Sequence, residues 1–238
     1  MPPVLLLTRP RPQSERFAAE ARAACPPHET RIAPLSEIAP LPFDPRAFDG
    51  ARGLVLTSAN AVPMLADVPG IAGLPAYCVG PGTARAARAA GFRAQEAGGD
   101  ARRLIDWLRR HRPQGPLVHA HGRHLARDLA AALDADGIGI RGVAVYEAQS
   151  RDWPVGLAAE LAARRVIAPL FSPRAAQALA RQAGVAQMGG LRPVAISAAC
   201  AARLPDAFQP RTKLATSPDA AAMLTAVAAA LSQAGCEP

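Results

Sequence analysis

The chain has 238 residues, half of them apolar, and a formal net charge of +8. That apolar share can build a core and argues against disorder, while the length fits one large or two modest domains. No run approaches the ~20 apolar residues of a membrane span, so a membrane protein is not expected.

The N-terminus, MPPVLLLTRP, has no basic n-region and too short an apolar run for a signal peptide, so the expected location is cytoplasmic. Val4–Leu7 reads as a strand, followed by Thr8-Arg9-Pro10-Arg11-Pro12 and a helix from about Gln13 to Ala24. Pro26 to Asp49 is Pro-rich and reads as irregular, with Arg31–Pro34 as a short extended piece. Leu54–Leu56 is a strand ending at Thr57-Ser58, and Ser58 suits a helix N-cap. Ala76–Val79 is a strand that breaks at Gly80-Pro81-Gly82; a helix follows from about Thr83 and stops at Gly91.

Asp100 is the expected cap of a helix over Ala101–Arg110. Leu117–His119 opens another strand, with His121-Gly122-Arg123 as its loop and Leu125–Leu133 as its helix. Val143–Tyr146 is a short strand with Tyr146-Glu147 at its end. Val166–Phe171 leads into Ser172-Pro173, cap then first-turn proline, and Pro193–Ile196 leads into Ser197-Ala198-Ala199-Cys200. Leu214–Thr216 meets Ser217-Pro218-Asp219 before a last helix, Ala220–Ser232.

These units pair across the chain at nearly constant separation. LVLTSANAV answers PLFSPRAAQAL, with Ser58 against Ser172; AYCVGPGTARAARAAG answers RPVAISAACAARL, with Gly80 against Ser197. GGDARRLIDWL answers TSPDAAAMLTAV, and LLLTRPRPQSERFAAEA answers LVHAHGRHLARDLAAAL, with Arg9 against His121. A period this long means two similar domains and not a solenoid. Strands alternating with helices give a parallel sheet covered on both faces in each domain. Right-handed crossovers then gather the strand-to-helix loops at the carboxyl ends of the strands. Two such edges facing each other would make a cleft lined with hydroxyls and backbone donors.

The residues LLLTRPRPQSERFAAE, LVLTSANAV, YCVGPGTARAARAAGF, HGRHLARDL, VYEA, LFSPRAAQAL and TSPDAAAML, in this order, resemble the uroporphyrinogen-III synthase family. The resemblance implies two flavodoxin-like α/β domains, each a parallel sheet flanked by helices, joined by a two-stranded connector. It implies residues 1–34 with 150–238 as one domain and 37–147 as the other, with crossing strands near Ile32–Leu35 and Val143–Ala148. The activity it implies is cofactor-free closure of hydroxymethylbilane to uroporphyrinogen III, with loss of water and inversion of ring D, by a monomer. It leaves room for a transient contact with the preceding enzyme of that pathway. The family's site maps onto Thr57, Ser58, Thr83, Tyr146, Ser172 and the Ser197 loop. Two positions depart from the pattern: His121 stands where arginine is common, and Ser-Ala-Ala-Cys replaces a Gly-x-Thr-like loop.

Such a polycarboxylate suits helix N-termini and N–H-rich loops, where each exposed contact contributes ~0.3–1 kcal/mol. Arg9, Arg11, Arg123 and Arg174 sit at those loops and can add charge-assisted bonds. Capping alone accounts for Ser58, Ser172, Ser217 and Asp100, although a capped N-terminus still attracts anions. Thr83 either orients a carboxylate or caps its helix. Tyr146 is the candidate acid: loss of the substrate hydroxyl as water needs a proton donor, and a positioned phenol can supply it. The bland alternative is a strand-end tyrosine packed at a wet boundary.

Other chemistries find little support. His119, His121 and His124 lack a cysteine or carboxylate at ligand spacing, so no metal is expected. Arg85 occupies the third-glycine position of a dinucleotide fingerprint, and neither a phosphate-binding lysine loop nor a hydrolase elbow is present. Cys25, Cys78, Cys200 and Cys236 form no CxxC pair and read as reduced thiols. The arginines are scattered without interleaved aromatics, so nucleic acid is not an expected partner. Lys213 is the only lysine among Ala-, Gly- and Pro-rich sequence, so coding bias competes with anion binding as the source of the basic charge. The competing function is a non-catalytic two-domain small-anion binding or sensor protein.

Overall fold

The computed structural model describes residues 1–125 and 128–236, without the side chains of Asp134 and Cys236. The Cys236 thiol, and Ala126 and Arg127 of the helix expected over Leu125–Leu133, therefore lie outside the described residues. In chain order the first elements are β1 (Val4–Leu7), α1 (Arg11–Ala24), β2 (Glu29–Ile32), β3 (Ser36–Pro40), β4 (Gly53–Leu56) and β5 (Pro75–Cys78). Next come α2 (Pro81–Ala89), β6 (Arg93–Glu96), α3 (Ala101–His111), β7 (Leu117–Gly122), α4 (Leu129–Asp134) and β8 (Ile140–Ser150). The chain closes with α5 (Leu157–Leu161), β9 (Val166–Leu170), α6 (Pro173–Ala180), β10 (Leu191–Ala195), α7 (Ala198–Ala201), β11 (Lys213–Leu214) and α8 (Ala220–Cys236). Among the described residues no helix is long and apolar enough to cross a membrane.

The chain divides into two compact units, one of residues 1–37 and 149–238, the other of residues 38–148. In the first, five strands lie in the order β11-β10-β9-β1-β2, and the paired strands run parallel. β1 is an interior strand, so Val4, Leu5 and Leu6 are wholly buried. Val4, Leu6, Val166, Ala168 and Leu170 pack with α5, α6 and α7 on one face. Leu5, Leu7, Ile167 and Val194 pack with α1 and α8 on the other. Both faces are thus covered, which explains why these strands are unbroken apolar runs.

The second unit holds the sheet β3-β8-β7-β4-β5-β6, parallel from β8 through β6. Its two cores divide in the same way. Leu54, Leu56, Val118 and Ala120 face Ala84 and Ala87 of α2 together with Val62 and Leu65. Val55, Tyr77 and Leu117 face Leu104, Ile105 and Leu108 of α3 and Leu129 and Leu133 of α4.

The repeated segments occupy equivalent places in the two sheets. Reading β2-β1-β9-β10-β11 against β8-β7-β4-β5-β6 puts β1 beside β7, β9 beside β4, β10 beside β5 and β11 beside β6. These are the four pairings of the sequence repeat. The order is shared in space but permuted along the chain, because the chain enters the second unit at the equivalent of its third strand.

Local chemistry sets most boundaries. Asp100, Ser172 and Ser197 accept from Arg103 N, Ala175 N and Cys200 N respectively, each an N-cap. Ser58 also caps, accepting from Asn60 N, but the turn it opens is a 3-10 helix over Ala59–Leu65. Pro63 within it has no N–H to continue an α ladder. α2 starts at Pro81, two residues before the expected Thr83, because proline is preorganised for a first helical position. At α8 the capping group is Asp219, which accepts from Ala222 N at 2.9 Å; Ser217 donates to Asp219 instead.

The strands missed in the sequence reading have one cause. β2, β3 and β6 were not expected as drawn, and each lies at the edge of its sheet. Edge strands carry no continuous apolar run: β2 and β6 alternate or stay exposed. The first crossing strand is accordingly Ser36–Pro40, while Ile32 ends β2. β7 runs on through His121 and Gly122, expected in a loop, because the longer β8 pairs with both. Tyr146 consequently lies within β8 and not at its end.

Candidate active site

In each sheet the strand order reverses direction at one point, and ligands of parallel α/β sheets bind at the carboxyl ends of the strands there. In the first unit the switch lies between β1 and β9, whose ends carry Thr8-Arg9 and Phe171-Ser172. In the second it lies between β4 and β7, whose ends carry Thr57-Ser58 and His119 to Gly122. Arg9, Thr57, Ser58, His121 and Ser172 lie at these two rims, Thr83 and Ser197 follow the neighbouring strands β5 and β10, and Tyr146 lies on β8 opposite the end of β7.

On the first rim the Arg9 guanidinium lies 4.2 Å from the centroid of the Phe171 ring. Burial lowers the Arg9 pKa, Arg16 adds to that, and Glu20 opposes it. Phe171 in turn meets Phe17 of α1 edge-on, with centroids 5.3 Å apart. Arg9 is therefore a cation held on an aromatic plate, where a stacked arginine keeps its edge donors for an anion. Beside it Thr8 is buried, and its Oγ1 has no hydrogen-bond partner. Ser172 and Ser197 each spend their hydroxyl on a cap. The Cys200 thiol donates to Ser172 O at 3.2 Å and is pushed up in pKa by burial, so it joins α7 to the end of β9 as an inert thiol. Arg174 is exposed, and Arg11 pairs with Glu15 at 3.6 Å.

On the second rim Thr57 Oγ1 and His119 Nε2 are 3.0 Å apart. His119 is 2% exposed, and its pKa falls to about 4 through burial first and the neighbouring His121 second, with Asp128 opposing. The imidazole is thus neutral at pH 7 and acts as a hydrogen-bonding group, not a charge. His121 stacks obliquely on His119 at 4.9 Å, and its Nδ1 donates to Gly122 O at 2.8 Å. Thr83 is buried in the first turn of α2, whose N-cap is Gly80 without a side-chain cap, so Thr83 does not cap the helix. Because Pro81 brings no N–H, Gly82 and Thr83 supply the N–H groups the helix itself does not use. Tyr146 is half-buried on β8 opposite Gly122, and Arg123 N donates to Tyr146 O at 2.8 Å. The Arg123 guanidinium is paired with Glu147 at 2.8 Å.

The arrangement groups Arg9 with Ser172 and Ser197 on one sheet, and Thr57, Ser58, Thr83, His121 and Tyr146 on the other. Thr8, Phe171 and His119 were not identified as site residues from sequence. Only His119 left a signal, since it alternates with His121 onto one strand face.

Two permuted parallel α/β sheets, each with polar groups at its switch point, define a protein of the flavodoxin-like class. The profile described as "Uroporphyrinogen-III synthase HemD" matches residues 17–225, and the chain belongs to the uroporphyrinogen-III synthase family, a family of cyclising lyases. The solved uroporphyrinogen-III synthetase from Helicobacter pylori is similar in fold at a TM-score of 0.64 and 18% identity, covering 98% of this chain and 100% of that one. A mutant uroporphyrinogen III synthase from the extremely thermophilic bacterium Thermus thermophilus is similar at a TM-score of 0.52 and 20% identity, covering 97% and 99%. No curated protein matches the sequence.

Proposed function

We propose that this chain closes hydroxymethylbilane to uroporphyrinogen III, with ring D inverted, and that Tyr146 is its acid. Family membership over residues 17–225 carries the reading, and the two rims give it chemistry. Arg9 on its plate, the first turns of α2 and α6, and the Thr57 hydroxyl bind carboxylates. The phenol of Tyr146 protonates the leaving hydroxyl, which departs as water and leaves an azafulvene cation. The substituted carbon of the last pyrrole attacks that cation to give a spiro intermediate. Fragmentation and reclosure at the free α-carbon invert the ring, and the proton lost on rearomatisation restores the phenol. No net proton or electron is consumed.

Such a route depends on holding reactive ends together more than on strong acids or bases. In this reading residues 1–34 with 150–238 and residues 37–147 act as two substrate-holding domains of a cytoplasmic monomer, without cofactor or metal. The test is incubation with hydroxymethylbilane, oxidation of the product and separation of the porphyrin isomers. Type III product is expected; type I alone, as in spontaneous closure, overturns the assignment. Tyr146→Phe is expected to lower kcat by about 10²-fold or more, in the range of a lost general acid.

A further inference from the structure

Gly122 is the last residue of β7 and pairs with Tyr146 of β8 just past a register shift between His121 and Gly122. A Cβ at Gly122 would meet Tyr146 Cζ at 2.8 Å, Cε2 at 2.9 Å and the phenol oxygen at 3.1 Å. The far end of the ring therefore rests on the glycine Cα. The backbone gives no reason for a glycine here, because Gly122 is absent from the left-handed residues among the described ones. Its neighbour Arg123 is tied to the same partner through its N–H to Tyr146 O, so the two strands are held in register around the contact.

We propose that Gly122 is a positioning residue: the hydrogen in place of a side chain is the seat that fixes where the Tyr146 phenol points. This rests on the reading of Tyr146 as the acid. A methyl group at Gly122 would press on the phenol end of a side chain that can rotate away, not on backbone. The ring moves and the strands stay. Stability should change little while the reactive oxygen shifts by about 1 Å, a displacement that can cost about 10²-fold in rate.

The experiment compares Gly122→Ala, Tyr146→Phe and the double variant in the full chain, by turnover of hydroxymethylbilane and by thermal unfolding. Expected for Gly122→Ala is a melting temperature close to the parent's, a KM within about threefold and a kcat lowered roughly 10–100-fold. The double variant should match Tyr146→Phe alone, because displacing the phenol costs nothing further once its hydroxyl is gone. The chain has two tyrosines, so with tyrosine labelled at Cζ the resonance that vanishes in Tyr146→Phe should be the one that moves in Gly122→Ala. In the parent protein the Gly122 Hα resonances should carry a ring-current shift that Tyr146→Phe alters and Tyr77→Phe does not. That measurement stands even if Gly122→Ala does not fold.

Parental kcat in Gly122→Ala, with Tyr146→Phe impaired, overturns the positioning role and leaves the acid in place. Parental kcat in Tyr146→Phe overturns both. A lowered melting temperature with unchanged kcat marks the contact as packing alone and likewise overturns the proposal.

Discussion

His119 shows how one buried side chain links the rim to the stability of its unit. Its folded pKa of about 4 lies below the ordinary imidazole value of 6.5. Between those two values the unfolded chain binds a proton that the folded chain refuses. The neutral ring's contribution is therefore complete above pH 6.5 and is lost as pH falls toward 4. Between pH 7 and pH 4.5 this group should cost the parent about 2–3 kcal/mol of stability. Urea unfolding of the parent and of His119→Gln at both pH values checks it. The parent's loss should exceed the variant's by about that amount, and equal losses would mean the imidazole is protonated in the fold.

Elements were legible where a residue type has one strong local reason to be where it is. Ser172 and Asp100 cap helices because a short acceptor can reach the N–H of the first turn, and Pro173 follows because its missing N–H is not needed there. The edge strands β2, β3 and β6 were not legible as drawn, since strand identity there comes from a neighbour's ladder and not from an apolar run. Capping and binding at Ser172 can be separated by substitution. Ser172→Ala should cost about 1 kcal/mol by removing the cap, with KM nearly unchanged. Ser172→Asp should keep the cap and the stability, but place a negative charge at the proposed carboxylate site, and so raise KM several-fold. Denaturation midpoints beside KM for each variant decide it; an unchanged KM in Ser172→Asp would take the start of α6 out of the substrate site.

At the scale of the molecule, each core cluster draws its described residues from a single unit. β1 is interior to its sheet yet comes from the other end of the chain from β9 and β10. Residues 38–148 expressed alone should therefore unfold cooperatively, since both faces of their sheet are covered from within. Residues 149–238 alone should not, because they lack β1 and β2, two of the five strands of their sheet, and the α1 helix that covers one face. Circular dichroism melts of the two fragments test this. A cooperative melt from 149–238 would show that β1 is dispensable to that core.

Family membership, the alternation of strand and helix, the repeat and most caps could be read from sequence, because each is a local pattern or an ordered set of them. The contacts that give the rims their chemistry could not. Thr57 meets His119, Arg9 meets Phe171 and Gly122 seats Tyr146. Each joins a strand end to a neighbour that is close only once the sheet order and register are set. Those depend on closing long loops and covering both sheet faces at once, so packing across the whole unit decided them.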